Sequence, residues 1–140
     1  MLYQSLHVPD GASPFPTSIL GEPHIAHYVE NFGERDGDDA QICESLDGVM
    51  IGAAWCRRLT SDDPGYGYVS DEIPELGMAV RPAWRGRGVG RRLLDDLLRR
   101  HPRMSLSVDD DNVGAATLYR SSGFEPVATD GGSTIMLRRP

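Results

Sequence analysis

Apolar residues recur along this chain at a period that keeps changing, and each change marks an element. Residues 1–6 are too short to assign. Residues 9–23 hold Pro9, Gly11, Pro14, Pro16, Gly21 and Pro23 and read as an irregular loop. After Pro23, the residues Ile25, Tyr28, Val29 and Phe32 fall on one face of a short helix that Gly33 can end. The acidic run 34–39 is a solvated connector. Strands over 40–46 and 49–59 flank Asp47-Gly48, the strongest short-range hairpin signal. A two-residue turn there pairs Leu46 with Val49 and Cys43 with Gly52.

A loop rich in Asp, Pro, Gly and Tyr spans 60–70, and residues 75–80 form a mostly apolar strand stopped by Arg81-Pro82. The glycine-rich turn 85–90 then opens directly into a helix. Its Val89, Leu93, Leu94, Leu97 and Leu98 make one apolar stripe, and Pro102 closes it. Residues 104–108 form a short buried strand. The polar run 109–112 offers N-caps to a helix over 113–121, which Gly123 terminates. Two last strands, around 124–128 and 133–138, join through Asp130-Gly131-Gly132. With no repeat and no linker, the order predicts one α/β domain over residues 1–140, built on a mixed sheet.

Composition narrows the partners. The 140 residues suffice for a core without metals or disulfides, and the net charge of −7 counts against nucleic acid. No apolar run nears the roughly 18 residues a membrane span needs. The N-terminus lacks the basic-then-apolar pattern of a leader, so a cytoplasmic protein without a membrane partner is expected. All basic residues other than histidine are arginine. A codon bias accounts for that, and it leaves no lysine amine to be modified. Cys43 and Cys56 would stand about 13 Å apart on the hairpin, too far for a disulfide. Neither cysteine sits in a metal-binding spacing, His24 and His27 lack further ligands, and no metal is expected.

The chemistry concentrates in Val80-Arg81-Pro82-Ala83-Trp84-Arg85-Gly86-Arg87-Gly88-Val89-Gly90. A strand enters a glycine-rich turn that ends at a helix N-terminus, where orphan amides and the helix dipole favour an anion. Arg85 and Arg87 add forked donors suited to phosphate. A P-loop would need a lysine, and the GxGxG spacing is not that of a dinucleotide fingerprint.

With these residues in view, Arg85-Gly86-Arg87-Gly88-Val89-Gly90 resembles the Arg/Gln-x-x-Gly-x-Gly/Ala signature of the GNAT-type N-acetyltransferase superfamily. Residues 74–80 resemble the strand before that signature. Leu106-Ser107-Val108 and residues 112–124 resemble the strand and helix after it, ending in Leu118-Tyr119-Arg120-Ser121-Ser122-Gly123-Phe124. The resemblance runs from about residue 40 to the C-terminus and implies a mostly antiparallel sheet whose splayed parallel strands hold acetyl-coenzyme A. It further implies transfer of the acetyl group to an amine by direct attack in a ternary complex.

The resemblance also assigns roles. The amides of Arg85, Gly86, Arg87, Gly88, Val89 and Gly90 hold the pyrophosphate. The backbone of Met78, Ala79 and Val80 pairs with the pantetheine arm, Asn112 binds the arm from the other side, and Tyr119 protonates the leaving thiolate. A tyrosine pKa near 10 against about 8.5 for a thiol suits that transfer; the plainer alternative is a core aromatic. Ser107 stands where some members carry a glutamate base, so Glu75 is the candidate base, with Glu72 and Asp71 as alternatives. The loop Asp62-Asp63-Pro64-Gly65-Tyr66-Gly67-Tyr68 suits a cationic acceptor or is a plain surface loop. The family's opening strand is missing here, which exposes a sheet edge that a second copy of the chain could cover. The competing reading is a non-catalytic acyl-coenzyme A sensor.

Overall fold

In the computed structural model, which describes residues 1–8 and 11–140, alternation along the strands sorts side chains into two layers. Helices α1 (Leu2–Ser5) and α2 (Pro23–Ala26) come first, with a 3-10 turn at Thr17–Gly21 between them. Strands β1 (Asp39–Glu44), β2 (Met50–Arg57) and β3 (Glu75–Val80) follow. After them come α3 (Val89–Arg100), β4 (Met104–Asp109), α4 (Val113–Ser121), β5 (Phe124–Asp130) and β6 (Ser133–Arg138). The strands form one sheet in the order β1-β2-β3-β4-β6-β5, antiparallel except where β3 meets β4. The mixed α/β architecture expected from the pattern is present, and β3 and α4 have the expected ends. Pro9 and Asp10, at the start of the expected loop, lie outside the described residues.

Two local expectations need correction. The helix expected to reach Phe32 stops as α2 at Ala26. Beyond it, the carbonyls of His27 and Glu30 accept hydrogen bonds from the Arg57 guanidinium, and Asn31 turns to φ 52°. A buried tertiary partner thus overrides the helical spacing. In the β1–β2 hairpin, Cys43 does face Gly52, but Glu44 faces Met50 and the Ser45 amide donates to the Val49 carbonyl. Gly48 takes φ 79° while Asp47 keeps a negative φ, so the two-residue turn with both angles positive is not formed and the ladder bulges at Cys43/Glu44.

One face of the sheet packs under α3 and α4. Ala54, Cys56, Leu76, Met104, Leu106, Val108 and Met136 meet Leu93, Leu94, Leu97, Leu98, Tyr119 and Phe124 there in a single core. The other face carries Trp55, Arg57, Glu75, Gly77, Ser105 and Ser107, the alternate residues of the same strands. Helix α1 lies against β3, and Tyr28 reaches Glu75 from the segment after α2.

Candidate active site

The sheet is incomplete at its centre. Strands β3 and β4 pair only at Glu75↔Ser105, reinforced by the Ser105 amide donating to the Pro74 carbonyl at 3.0 Å. Past that point they diverge, although β3 stays laddered to β2 as far as Val80, and β4 to β6 as far as Asp109. Their facing edges therefore hold backbone donors and acceptors with no ladder partner, which a ligand can take.

At the open end of this gap stands the glycine-rich turn. Gly86 and Gly88 adopt φ 74° and 82°, values that cost a side-chain-bearing residue about 1–2 kcal/mol, and a Cβ on either would meet no atom within 4 Å. Gly88 caps α3 without any side-chain hydrogen bond, and the first intrahelical bond runs from the Arg92 amide to the Gly88 carbonyl. The amides of Val89, Gly90 and Arg91 thus lie at the helix start without an intrahelical acceptor. The Arg85 Nε donates to the Val80 carbonyl at 3.0 Å, and the Arg87 guanidinium lies 5.1 Å from the Trp84 ring centre, so both arginines are held at the turn.

Gly90 joins the turn to the rest of the site. A Cβ there would lie 3.5 Å from Met78 Cε, 3.6 Å from Leu118 Cδ2 and 3.7 Å from Val80 Cγ2, so helix, strand and α4 meet at one glycine. Arg91 adds a 2.7 Å hydrogen bond to Ser121 Oγ. Asn112 caps α4, its Oδ1 accepting from the Ala115 amide at 3.4 Å. Tyr119 packs edge-on against Phe124 with ring centres 5.9 Å apart, and burial pushes its hydroxyl up to about 12. The turn, the β3 residues Met78 and Val80 and the α4 residue Leu118 thus meet at Gly90, while Asn112 caps α4 and Tyr119 lies in the core beneath it.

The opposite face is built differently. Glu75 is 3 % exposed; its Oε1 accepts from the Tyr28 hydroxyl at 2.6 Å and from the Gly67 amide at 2.8 Å. Burial raises its pKa, an effect those hydrogen bonds only partly offset, and Glu75 Oε2 has no partner among the described residues. Burial, and then the Glu75 charge, raise the pKa of Tyr28, so its proton stays in place. The Tyr66 amide donates back to the Tyr28 hydroxyl at 2.8 Å. Two glycines let this loop settle. A Cβ on Gly65 would sit 2.0 Å from Glu75 Oε2, and one on Gly67 would sit 2.4 Å from the Leu106 carbonyl carbon. Gly67 therefore rests directly on β4 where the gap begins. Among the sequence candidates, Glu72 and Asp71 stand apart from this cluster on the exposed loop. Tyr28, His27 and Arg57 join this cluster without any signal in the sequence, because their spacing reads only as helix and strand positions.

Residues 6–124 match the acetyltransferase (GNAT) family, so the chain belongs to that family. It is 38% identical over 123 residues to the N-alpha-acetyltransferase RimI of Mycobacterium tuberculosis, covering 84% of this chain and 65% of that protein. It is 34% identical over 133 residues to a mycothiol acetyltransferase of Beutenbergia cavernae, covering 91% and 35%. The chain thus spans less than two thirds of the length of these curated relatives. Its fold matches a ribosomal-protein-alanine N-acetyltransferase from Brucella melitensis with a TM-score of 0.62 at 24% identity, covering 81% and 75% of the two chains. It also matches a phosphinothricin acetyltransferase from Sinorhizobium meliloti solved in complex with AcCoA, with a TM-score of 0.60 at 19% identity, covering 90% and 70%.

Proposed function

We propose that this chain is a single-domain N-acetyltransferase that moves an acetyl group from acetyl-coenzyme A to a primary amine, without forming an acyl-enzyme. The observation that carries the reading is the gap between β3 and β4, zipped at Glu75–Ser105 and ending at the glycine turn. Amides of Arg85 to Gly90 and the dipole of α3 suit the pyrophosphate, while Arg85 and Arg87 add charge. The free edge of Met78, Ala79 and Val80, with Asn112 opposite, suits an extended arm laid in like a strand. Names of the relatives agree with amine acetylation, and family membership supports it over a sensor that performs no chemistry.

The coenzyme supplies an acetyl thioester, whose carbonyl carbon gains a bond to the amine nitrogen and loses the one to sulfur. The chain's own groups manage the protons. Tyr119, kept protonated at neutral pH by burial, donates to the departing sulfur. Glu75 removes the amine proton through water, since at 3 % exposure it meets no substrate directly, and burial raises its pKa toward the working range of a base. The acidic, tyrosine-bearing loop 60–70 flanks the acceptor side and suits a cation. Cytoplasmic residence belongs to the same proposal, as does a second copy on the free outer edge of β1, where Ile42 is 48% exposed. No helix among the described residues is long and apolar enough to cross a membrane.

Thiol release from acetyl-coenzyme A, assayed against a panel of amines, tests the reading. Tyr119→Phe should lower kcat by about 10²–10⁴-fold with coenzyme affinity nearly unchanged; unaltered turnover would remove Tyr119 from the mechanism. Glu75→Gln should abolish the acid limb of the pH–rate profile. That limb should fall at a pH above the ordinary carboxylate value of 4.5, because the raised pKa keeps Glu75 protonated to higher pH. An unmoved limb would exclude Glu75 as the base.

A further inference from the structure

A base this deeply buried must pass its proton on before it can act again. The neighbour equipped to receive it is His27, which is 4% exposed. The His27 Nδ1 lies 2.8 Å from the Asp63 Oδ1, and the Asp63 side chain is 56% exposed. With the Nδ1 proton directed at that carboxylate, Nε2 keeps the lone pair. Both His27 Nε2 and Glu75 Oε2 are buried without a hydrogen-bond partner among the described residues. Tyr28 links them: its ring stands edge-on to the imidazole with centres 4.7 Å apart, and its hydroxyl donates to Glu75. From β2, Arg57 Nη1 donates to the His27 carbonyl at 3.1 Å, and Asp38 neutralises that guanidinium. Asp63 at the ring, Glu75 beyond Tyr28 and the Arg57–Asp38 pair at the backbone are the charged groups these contacts bring to His27.

We propose that Glu75, His27 and Asp63 form a proton relay from the acceptor face to solvent. The inference rests on the reading of Glu75 as the base. A proton taken up at Glu75 moves to the His27 Nε2 lone pair through a bridging water, because the two side chains do not touch. The resulting imidazolium is held by Asp63 until exchange with bulk water at that exposed carboxylate returns the neutral ring. Neither His27 nor Asp63 touches the substrate; both act through Glu75.

The test compares wild type, His27→Gln and Asp63→Asn on the full chain, using acetyl-coenzyme A and an amine that the wild type acetylates. Both variants should keep coenzyme affinity by calorimetry and lose about tenfold or more in kcat in dilute buffer, recovering as imidazole is added. Imidazole substitutes for a missing proton carrier but cannot repair misplaced packing. Should His27→Gln fail to fold, Asp63→Asn carries the test, because its side chain is half exposed. Wild-type kcat in the variants, or a loss that imidazole does not relieve, overturns the relay alone. A wild type that acetylates no amine overturns the base reading and the relay with it.

Discussion

The two sides of the central gap are built by different means. On the proposed coenzyme side, β3, the glycine turn and the start of α3 occupy one unbroken stretch, residues 75–90, and α4 joins them through Gly90 and Leu118. On the proposed acceptor side, Tyr28 and Glu75 are 47 residues apart, Tyr66 and Tyr28 are 38 apart, and Arg57 and Asp38 are 19 apart. The first side is a local device, in which backbone conformation creates the binding groups. The second is a tertiary device, in which buried polar side chains hold loops that have little secondary structure of their own. Damage to the second should therefore register in stability and acceptor handling, and damage to the first in coenzyme affinity.

The largest effect should come from Arg57→Ala. Arg57 and the Asp38 carboxylate are almost wholly buried, and the guanidinium also serves the carbonyls of His27 and Glu30. Removing one partner of such a pair costs about 3–5 kcal/mol, readable by urea denaturation. A cost below about 1 kcal/mol would mean that the acceptor side does not depend on its buried pair.

Gly67→Ala should be milder in stability, costing about 1–3 kcal/mol. The new Cβ would push the loop off β4, since it would lie 2.4 Å from the Leu106 carbonyl carbon. KM for the amine should rise while the dissociation constant of acetyl-coenzyme A stays put. Equal losses in both would dissolve the distinction between the two sides. Gly88→Ala should be the mildest for stability, about 1–2 kcal/mol for a left-handed conformation with open space around it. Here the pattern should reverse, with weaker coenzyme binding and an unchanged amine KM.

This division also explains what could be read from the residues alone. Strand β3, the turn at 85–90 and helix α4 were legible because each is set by neighbours a few positions away: apolar alternation, glycines at a helix start, a capping Asn112. The early end of α2 was not legible, because Arg57 decides it from β2. Nor was the clamp on Glu75, for which the sequence offered only a spaced pair of glycines, Gly65 and Gly67, inside an acidic loop. Their need for glycine arises from backbone and carboxylate close by in space, which no period or propensity reports. The hairpin lay between these cases: Asp47-Gly48 marked its place, whereas the conformation of Asp47 set its register.

Because β3 and β4 meet at a single residue pair, the sheet consists of two half-sheets, β1-β2-β3 under α3 and β4-β6-β5 with α4. The backbone ladder crosses between them at Glu75–Ser105, while the shared core, the Gly90 contact with Leu118 and the Arg91–Ser121 hydrogen bond hold the halves together by side chains. A ligand laid along both free edges would be the missing rung of that ladder. Binding would then close two half-sheets into one continuous ladder, with the ligand's own backbone-like groups as part of the fold.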